Sequence, residues 1–237
     1  MSLLSTSGLT RRFGGLVAVN AVDFDLPQGE VRALIGPNGA GKSTFVGLVS
    51  GRVAASGGRV RFDGADVTHL PAHRRIGLGI AYTFQITSVF ARLSIFENVA
   101  LAARPRLGRD RAAVADAVGA ALERVGLVEP ETTPAGALSY GHQRLLEIAM
   151  GLAQAPRLMI LDEPTQGLAE NEIAGFKALI RALKGQVTIL LIEHNMSVVM
   201  ETADRITVLN FGAVLAEGRP DEIRASKAVQ SAYLGRV

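Results

Sequence analysis

The stretch "GPNGAGKS" at residues 36–43 leaves the chain few ways to fold. Before it, "ALIG" has strand character; after it, "STFVGLVSG" reads as a helix that stops at Gly51. A strand, a glycine loop ending in Lys-Ser and a helix, in that order, match the pattern G-x-x-x-x-G-K-[ST]. The chemistry demands these residue types. Glycines let successive backbone N–H groups turn inward around phosphate oxygens. Lys42 sets a point charge between β- and γ-phosphates, and the Ser43 hydroxyl takes a position on Mg²⁺. Asn38, Gly39, Ala40, Gly41 and Thr44 complete the expected nucleotide cradle.

The rest of the pattern agrees with an α/β sheet. "LTRRF", "LVAVNAVDFDL" and "GEVRALIG" behave as strands, with a turn at "LPQG" (26–29), and "RVRFDG" follows as another strand. Between about 91 and 135 the character changes: "VADAVGAALERVGLV" sets Val114, Val118, Ala121, Leu122 and Val125 at helical spacing. After residue 155 come the buried runs "RLMILDEP", "VTILLIEH" and "RITVLNFG", with the helix "ENEIAGFKALIRALKG" between the first two. Fully apolar strands joined by helices predict parallel β-structure with helical crossovers.

Composition closes off other classes. Hydrophobic residues make up 48% of the 237, which excludes a disordered chain, and zero cysteines exclude disulfides and thiolate metal sites. The net charge of +3 gives no concentrated basic stripe. "HRR" at 73–75 and "RPRLGRDR" at 104–111 are expected to be solvated faces, and no nucleic-acid partner is expected. The most continuous apolar run, "VTILLI" at 187–192, falls far short of the roughly 18–20 residues that span a bilayer. "MSLLSTSGLTRR" lacks the early charge and apolar stretch of a secretory leader, so any membrane connection is expected through a partner.

Further pieces carry chemistry. Asp162 and Glu163 follow the buried strand of "RLMILDEP", at the carboxyl edge where ligands sit in α/β sheets. Asp162 is expected to hold Mg²⁺ through water, and Glu163 to orient and polarise an attacking water. The plain alternative is an acidic pair that merely ends a strand at solvent. His194 falls at the tip of "LLIEHN" on the same edge, placed to donate to a γ-phosphate, and Gln85 ends the strand-like "YTFQ". Finally, "LSYGHQ" at 138–143 is a polar turn holding Ser139 and Gly141 that runs straight into a helix, the form of a second phosphate-binding site.

The order phosphate loop, Gln85, "LSYGHQ", "LDEP", His194 resembles the nucleotide-binding subunit of ABC transporters over essentially the whole chain. The LSGGQ-like stretch discriminates, because kinases, GTPases and helicases have phosphate loops but not this. The resemblance implies an α/β fold: a P-loop NTPase (RecA-like) core with an N-terminal antiparallel β-subdomain and an inserted α-helical subdomain. A single domain over 1–237 is implied, with 1–86 and 155–237 as core and 87–154 as the insert. ATP and Mg²⁺ are the implied cofactors, with Ser43, Gln85 and Asp162 around the metal and Glu163 and His194 as catalytic residues. Two subunits would bind head-to-tail. ATP would lie between the phosphate loop of one and Ser139, Gly141 and His142 of the other, so that the second site serves a partner's nucleotide. Phe13, in "RRFGG" 29 residues before Lys42, corresponds to the family's adenine-stacking aromatic; its other reading is a core or edge-strand aromatic.

Two departures stand out. Tyr140 replaces a small residue and His142 precedes Gln143 in the signature, while "QGLA" ends in Ala169 where Asp or Asn is common. Glu170 or Asn171 is then the candidate link between the two sites. Within the family, "RRFGGLVAVNAVDFDL", "LPAHRRIGLGIAYTFQ", "FARLSIFENV" and "LAEGRPDEIRASKAVQSAYLG" are similar to ATPases of branched-chain amino-acid importers and their relatives for urea, amides and aromatic acids. Lipopolysaccharide-export ATPases share the tail style, so an export system, or a soluble non-transport ABC ATPase, is the alternative. The implied partners are an identical or similar ATPase subunit, two integral membrane permease subunits docking near residues 85–98, and a periplasmic or extracellular substrate-binding protein. The implied location is the cytoplasmic face of the cell membrane. The apolar "ITSVFARLSIFEN" is expected to be either core or a groove for a short helix of a membrane subunit, with Phe90, Leu93 and Phe96 as anchors.

Overall fold

The structure is a computed structural model that describes residues 2–83 and 88–234. Strands β1 (Ser2–Phe13) and β2 (Leu16–Pro27) form a hairpin, after which β3 (Val31–Ile35) leads through the glycine loop into α1 (Lys42–Ser50). Next come β4 (Gly57–Phe62), β5 (Ala65–Asp66), α2 (Ala72–Gly77) and β6 (Ile80–Thr83). Three helices follow, α3 (Ile95–Leu107), α4 (Arg111–Val125) and α5 (Tyr140–Ala153). The chain then alternates through β7 (Leu158–Asp162), α6 (Glu170–Leu183), β8 (Thr188–Ile192), α7 (Met196–Thr202) and β9 (Arg205–Asn210). It closes with β10 (Ala213–Gly218), α8 (Pro220–Ala225) and α9 (Lys227–Leu234).

These strands build two sheets, an antiparallel one in the order β2-β1-β4-β5 and a larger one in the order β10-β9-β3-β8-β7-β6. In the larger sheet β9, β3, β8, β7 and β6 run parallel, and β10 is an antiparallel edge. Side-chain alternation explains why its central strands read as unbroken apolar runs. Met159, Leu161, Ile189 and Leu191 face the core shared with α3 to α6, while Leu158, Ile160, Leu190 and Ile192 face the core shared with α1 and the smaller sheet. With both faces covered, apolar side chains fill β7 and β8 between the polar Thr188 and Asp162 at their ends. Among the described residues no helix is long and apolar enough to cross a membrane.

The apolar stretch ahead of α4 divides its side chains. Ser94 and Glu97 form a reciprocal capping box, Glu97 N to Ser94 Oγ at 3.1 Å and Ser94 N to Glu97 Oε2 at 2.8 Å, which starts α3 here. Phe96 therefore turns inward and packs on the helical core, Leu93 is half-buried, and Phe90 is 56% exposed.

One expected solvated face is corrected by the structure. His73 and Arg74 are exposed, as are Arg104, Arg106, Arg109 and Arg111, but Arg75 is only 1% exposed. Its guanidinium donates to the carbonyls of Leu48 (2.8 Å), Val49 (2.6 Å), Leu70 (2.9 Å) and Thr68 (2.9 Å). Leu48 and Val49 belong to the last turn of α1, so a positive charge sits on the negative end of the helix that follows the phosphate loop. Burial pulls this guanidinium down to about 10, against the opposing charge of Asp66. Substituting Arg75→Met would leave this carbonyl cluster without its donor. The expected loss is about 3 kcal/mol of stability, read as a lower denaturant midpoint; an unchanged midpoint would contradict the capping role.

Candidate active site

Topology fixes the site first. β3, β8 and β7 are neighbours and parallel, so the segments leaving their carboxyl ends emerge side by side: the glycine loop, His194, and the Asp162–Glu163 pair. Close backbone approach explains the glycines. Gly41 caps α1 at φ 101°, and a Cβ there would overlap the carbonyl of Ala18; a Cβ at Gly36 would overlap the carbonyl of Leu209. The loop is thus wedged between β2 and the end of β9, and Gly212 N donates to Ala40 O at 3.0 Å to fasten it.

Lys42 Nζ donates to the carbonyls of Gly36 (2.7 Å) and Pro37 (3.2 Å), which keeps the ammonium folded over the loop. Burial lowers its pKa, and the charges of Glu163 and Asp162 act in the opposite direction. All three groups therefore share one electrostatic site. Ser43 and Thr44 occupy the first turn of α1, Ser43 exposed, and Asn38 and Gly39 are exposed at the loop tip while Ala40 is buried.

Asp162 is 7% exposed, and its Oδ2 accepts a 2.5 Å hydrogen bond from the Tyr82 hydroxyl. Burial, followed by that bond, holds the Tyr82 phenol above its ordinary pKa, so it stays a donor. The Arg52 guanidinium lies 3.9 Å from the Tyr82 ring centre. The Ser43 hydroxyl and the Asp162 carboxylate, on adjacent parts of this sheet edge, offer only oxygen donors. Such a set fits Mg²⁺, which takes one or two protein oxygens and fills its octahedron with water and phosphate. Among the described residues no group of three or more His, Cys, Asp and Glu could make an all-protein metal cage.

Glu163 sits at φ 47°, a left-handed conformation unusual for a side-chain-bearing residue, and its N–H donates to Ile192 O at 2.9 Å. This turns its carboxylate toward His194, with Oε2 3.8 Å from Nδ1. The imidazole is 61% exposed and Glu163 is 21% exposed, so both can reach a ligand on the sheet edge.

Two residues that the sequence reading passed over support this pair. One is Tyr82, already described. The other is Glu193, 1% exposed, whose carboxylate accepts from Thr165 N (2.9 Å), Thr165 Oγ1 (2.5 Å), His194 N (3.1 Å) and Asn195 N (3.1 Å). A glutamate directly after an apolar strand and directly before a candidate histidine was the available signal.

Phe13 stands at the tip of the β1–β2 hairpin, 45% exposed, with the Arg11 guanidinium 4.3 Å from its ring centre. The same hairpin reaches the phosphate loop through Ala18, and Asn20 N donates to Gly212 O at 2.8 Å. Ser139 is the exposed N-cap of α5, its Oγ accepting from His142 N at 3.2 Å. The His142 ring pairs with the Glu129 carboxylate, which aims it along its own chain. Gly141 is buried beneath the Glu172 carboxylate. Gln85 lies outside the described residues. Ala169, with no side chain able to cap α6, leaves Glu172 Oε2 to accept from its N–H at 2.8 Å; Glu170 and Asn171 are exposed on the first turn.

Residues 19–166 match the ABC transporter family, and residues 213–237 match a segment described as branched-chain amino acid ATP-binding cassette transporter. The chain is 40% identical to the high-affinity branched-chain amino acid transport ATP-binding protein BraF of Pseudomonas aeruginosa, covering 98% of both chains. It is 39% identical to the corresponding protein LivG of Escherichia coli over 98% of both. Among solved structures, a nucleotide-free ATP-binding cassette from an ABC transporter superposes with a TM-score of 0.89 at 28% identity, covering 100% of each chain. With the phosphate loop, the acidic pair and His194 assembled on one sheet edge and this likeness along its whole length, the chain belongs to the ABC transporter family as an ATP-hydrolysing nucleotide-binding subunit.

Proposed function

We propose that this subunit powers import of branched-chain amino acids, or of related small molecules such as urea, amides or aromatic acids, from the cytoplasmic face of the cell membrane. The observation that carries the catalytic part is the convergence of Lys42, Asp162, Glu163 and His194 at the carboxyl ends of three adjacent parallel strands. The whole-length similarity to branched-chain amino acid transport ATP-binding proteins supports the choice of cargo.

In this reading Asn38 to Thr44 hold the phosphates, Lys42 neutralises the β- and γ-phosphate oxygens, and Phe13 stacks on adenine with Arg11 behind its ring. Mg²⁺, held by Ser43, Asp162 and, by family resemblance, Gln85, would supply charge neutralisation on the transferred phosphoryl group. Glu163 accepts a hydrogen bond from the attacking water and orients it. His194, 3.8 Å away, donates to the γ-phosphate. Ser139, the Gly141 N–H and the start of α5 complete the nucleotide site of a second ATPase subunit, identical or similar, bound head-to-tail. Residues 1–86 and 155–237 serve as the core and 87–154 as the insert.

Two membrane subunits dock on the flank nearest residues 85–98. A groove of about 1000 Å³ between α2 and α3, which takes no lining residue from that stretch, is a further candidate contact, lined by Leu70, Ile76, Leu78, Ala102 and Pro105, with His73, Arg74 and Arg106 also lining it. Ile76 and Leu78 are 47% and 44% exposed and add apolar surface to the groove. The groove suits a short amphipathic helix with an acidic edge. Phe90 is the one anchor expected from sequence that is exposed toward such a partner; a substrate-binding protein on the far side of the membrane completes the system.

Replacing Glu163 by Gln should lower the ATP turnover rate at least about 100-fold while changing ATP affinity less than about threefold, because the carboxylate acts in the chemical step. Equal loss of both would contradict the assignment. The double substitution Ile76→Asp with Leu78→Asp should abolish co-purification with the membrane subunits and leave basal ATP hydrolysis within about twofold; retained association would move the docking surface elsewhere.

A further inference from the structure

The signature's departure at Tyr140 has a specific neighbour. Tyr140 is the first residue of α5, and its ring lies across Gly167: a methyl group built on Gly167 would stand 3.1 Å from Cε1 and 3.7 Å from Cδ1 and Cζ. Gly167 takes φ 80°, open to glycine and strained for other residues, so the backbone itself forms the floor under the ring. One residue further on, Gly141 is covered by the carboxylate of Glu172, which in turn accepts from Ala169 N at 2.8 Å. The first turn of α5 thus bears on both ends of the segment joining Gly167 to α6.

That segment is the continuation of the catalytic turn. Gln166 N donates to Glu163 O at 3.2 Å and Leu168 N to Thr165 O at 3.2 Å, so residues 163–168 form one hydrogen-bonded unit. Thr165 is pinned to the end of β8 by the buried Glu193. Glu163 opens the unit at φ 47°. The unit is held at Glu163 by Ile192 O (2.9 Å) and at Thr165 by Glu193, and Gly167 is where the first turn of α5 touches it.

We propose that Tyr140 is a positioning residue that couples the two nucleotide sites within one chain: a nucleotide engaged by Ser139 seats the first turn of α5, and the Tyr140 ring carries that seating through Gly167 to the orientation of Glu163. This rests on the reading of Ser139 as a contact to a partner's nucleotide. It assigns the connection between sites to an aromatic packing contact, in a chain whose residue 169 offers only a methyl group.

The test compares full-length wild type, Tyr140→Ala and Tyr140→Phe, with ATP hydrolysis measured over a range of ATP concentrations. A second set carries each change together with Glu163→Gln for ATP-dependent dimerisation by solution mass. The coupling predicts that turnover at saturating ATP falls about tenfold in Tyr140→Ala. Dimerisation should occur at the same ATP concentration within about twofold, and Tyr140→Phe, which keeps the ring, should behave as wild type. An unchanged turnover in Tyr140→Ala, a loss of turnover explained by lost dimerisation, or a Phe variant that matches Ala would each overturn the proposal. If Glu163→Gln with Tyr140 in place fails to dimerise on ATP, the reading of Ser139 fails and the coupling falls with it. If it dimerises and the kinetics do not respond to Tyr140, the coupling alone is wrong.

Discussion

The buried carboxylate of Glu193, with four donors directed at it, holds the catalytic edge in shape. It sits one residue beyond β8 and accepts both from Thr165, two residues past Glu163, and from the backbone of His194 and Asn195. A carboxyl group away from water is tolerable only with such a full set of donors. The same carboxylate thereby ties the turn after β7 to the turn after β8. The 3.8 Å approach of Glu163 to His194 depends on that tie. So does the left-handed backbone at Glu163, a conformation that costs on the order of 1–3 kcal/mol and persists where its surroundings over-determine it.

From this edge the rest of the architecture follows by layers. The parallel sheet must be covered on both faces, so the helical segment from α3 to α5 and the smaller antiparallel sheet are structural necessities as well as functional parts. Arg75 extends the logic to the phosphate loop: by neutralising the end of α1 it fixes the helix whose other end carries Lys42 and Ser43.

Much of this was legible in the sequence because it is local. The glycine loop, the apolar strands and the acidic pair each announce themselves within ten residues, and the buried runs of β7 and β8 required parallel neighbours. The contacts that escaped are long-range. Arg75 looked like part of a solvated "HRR" because nothing local reveals that Leu48 and Val49, more than twenty residues earlier, present carbonyls to it. Tyr82 reaches Asp162 across 80 positions of sequence, and Tyr140 meets Gly167 only because α5 and the catalytic turn pack together. The start of α3 at "SIFE" also went unread: its capping box lies inside an apolar stretch expected to be either core or a groove. Its residues serve core and surface at once.

In the proposed reading the phosphate loop, Asp162, Glu163 and His194 serve the chain's own nucleotide, and the exposed Ser139, on a separate helix start, serves a partner's. On that reading the molecule is half of a pair. The most direct measurement is the solution mass of a Glu163→Gln variant with and without Mg²⁺ and ATP. The account predicts a shift from monomer to dimer on adding ATP, abolished by Ser139→Arg. A monomer that binds ATP tightly and never shifts would contradict it.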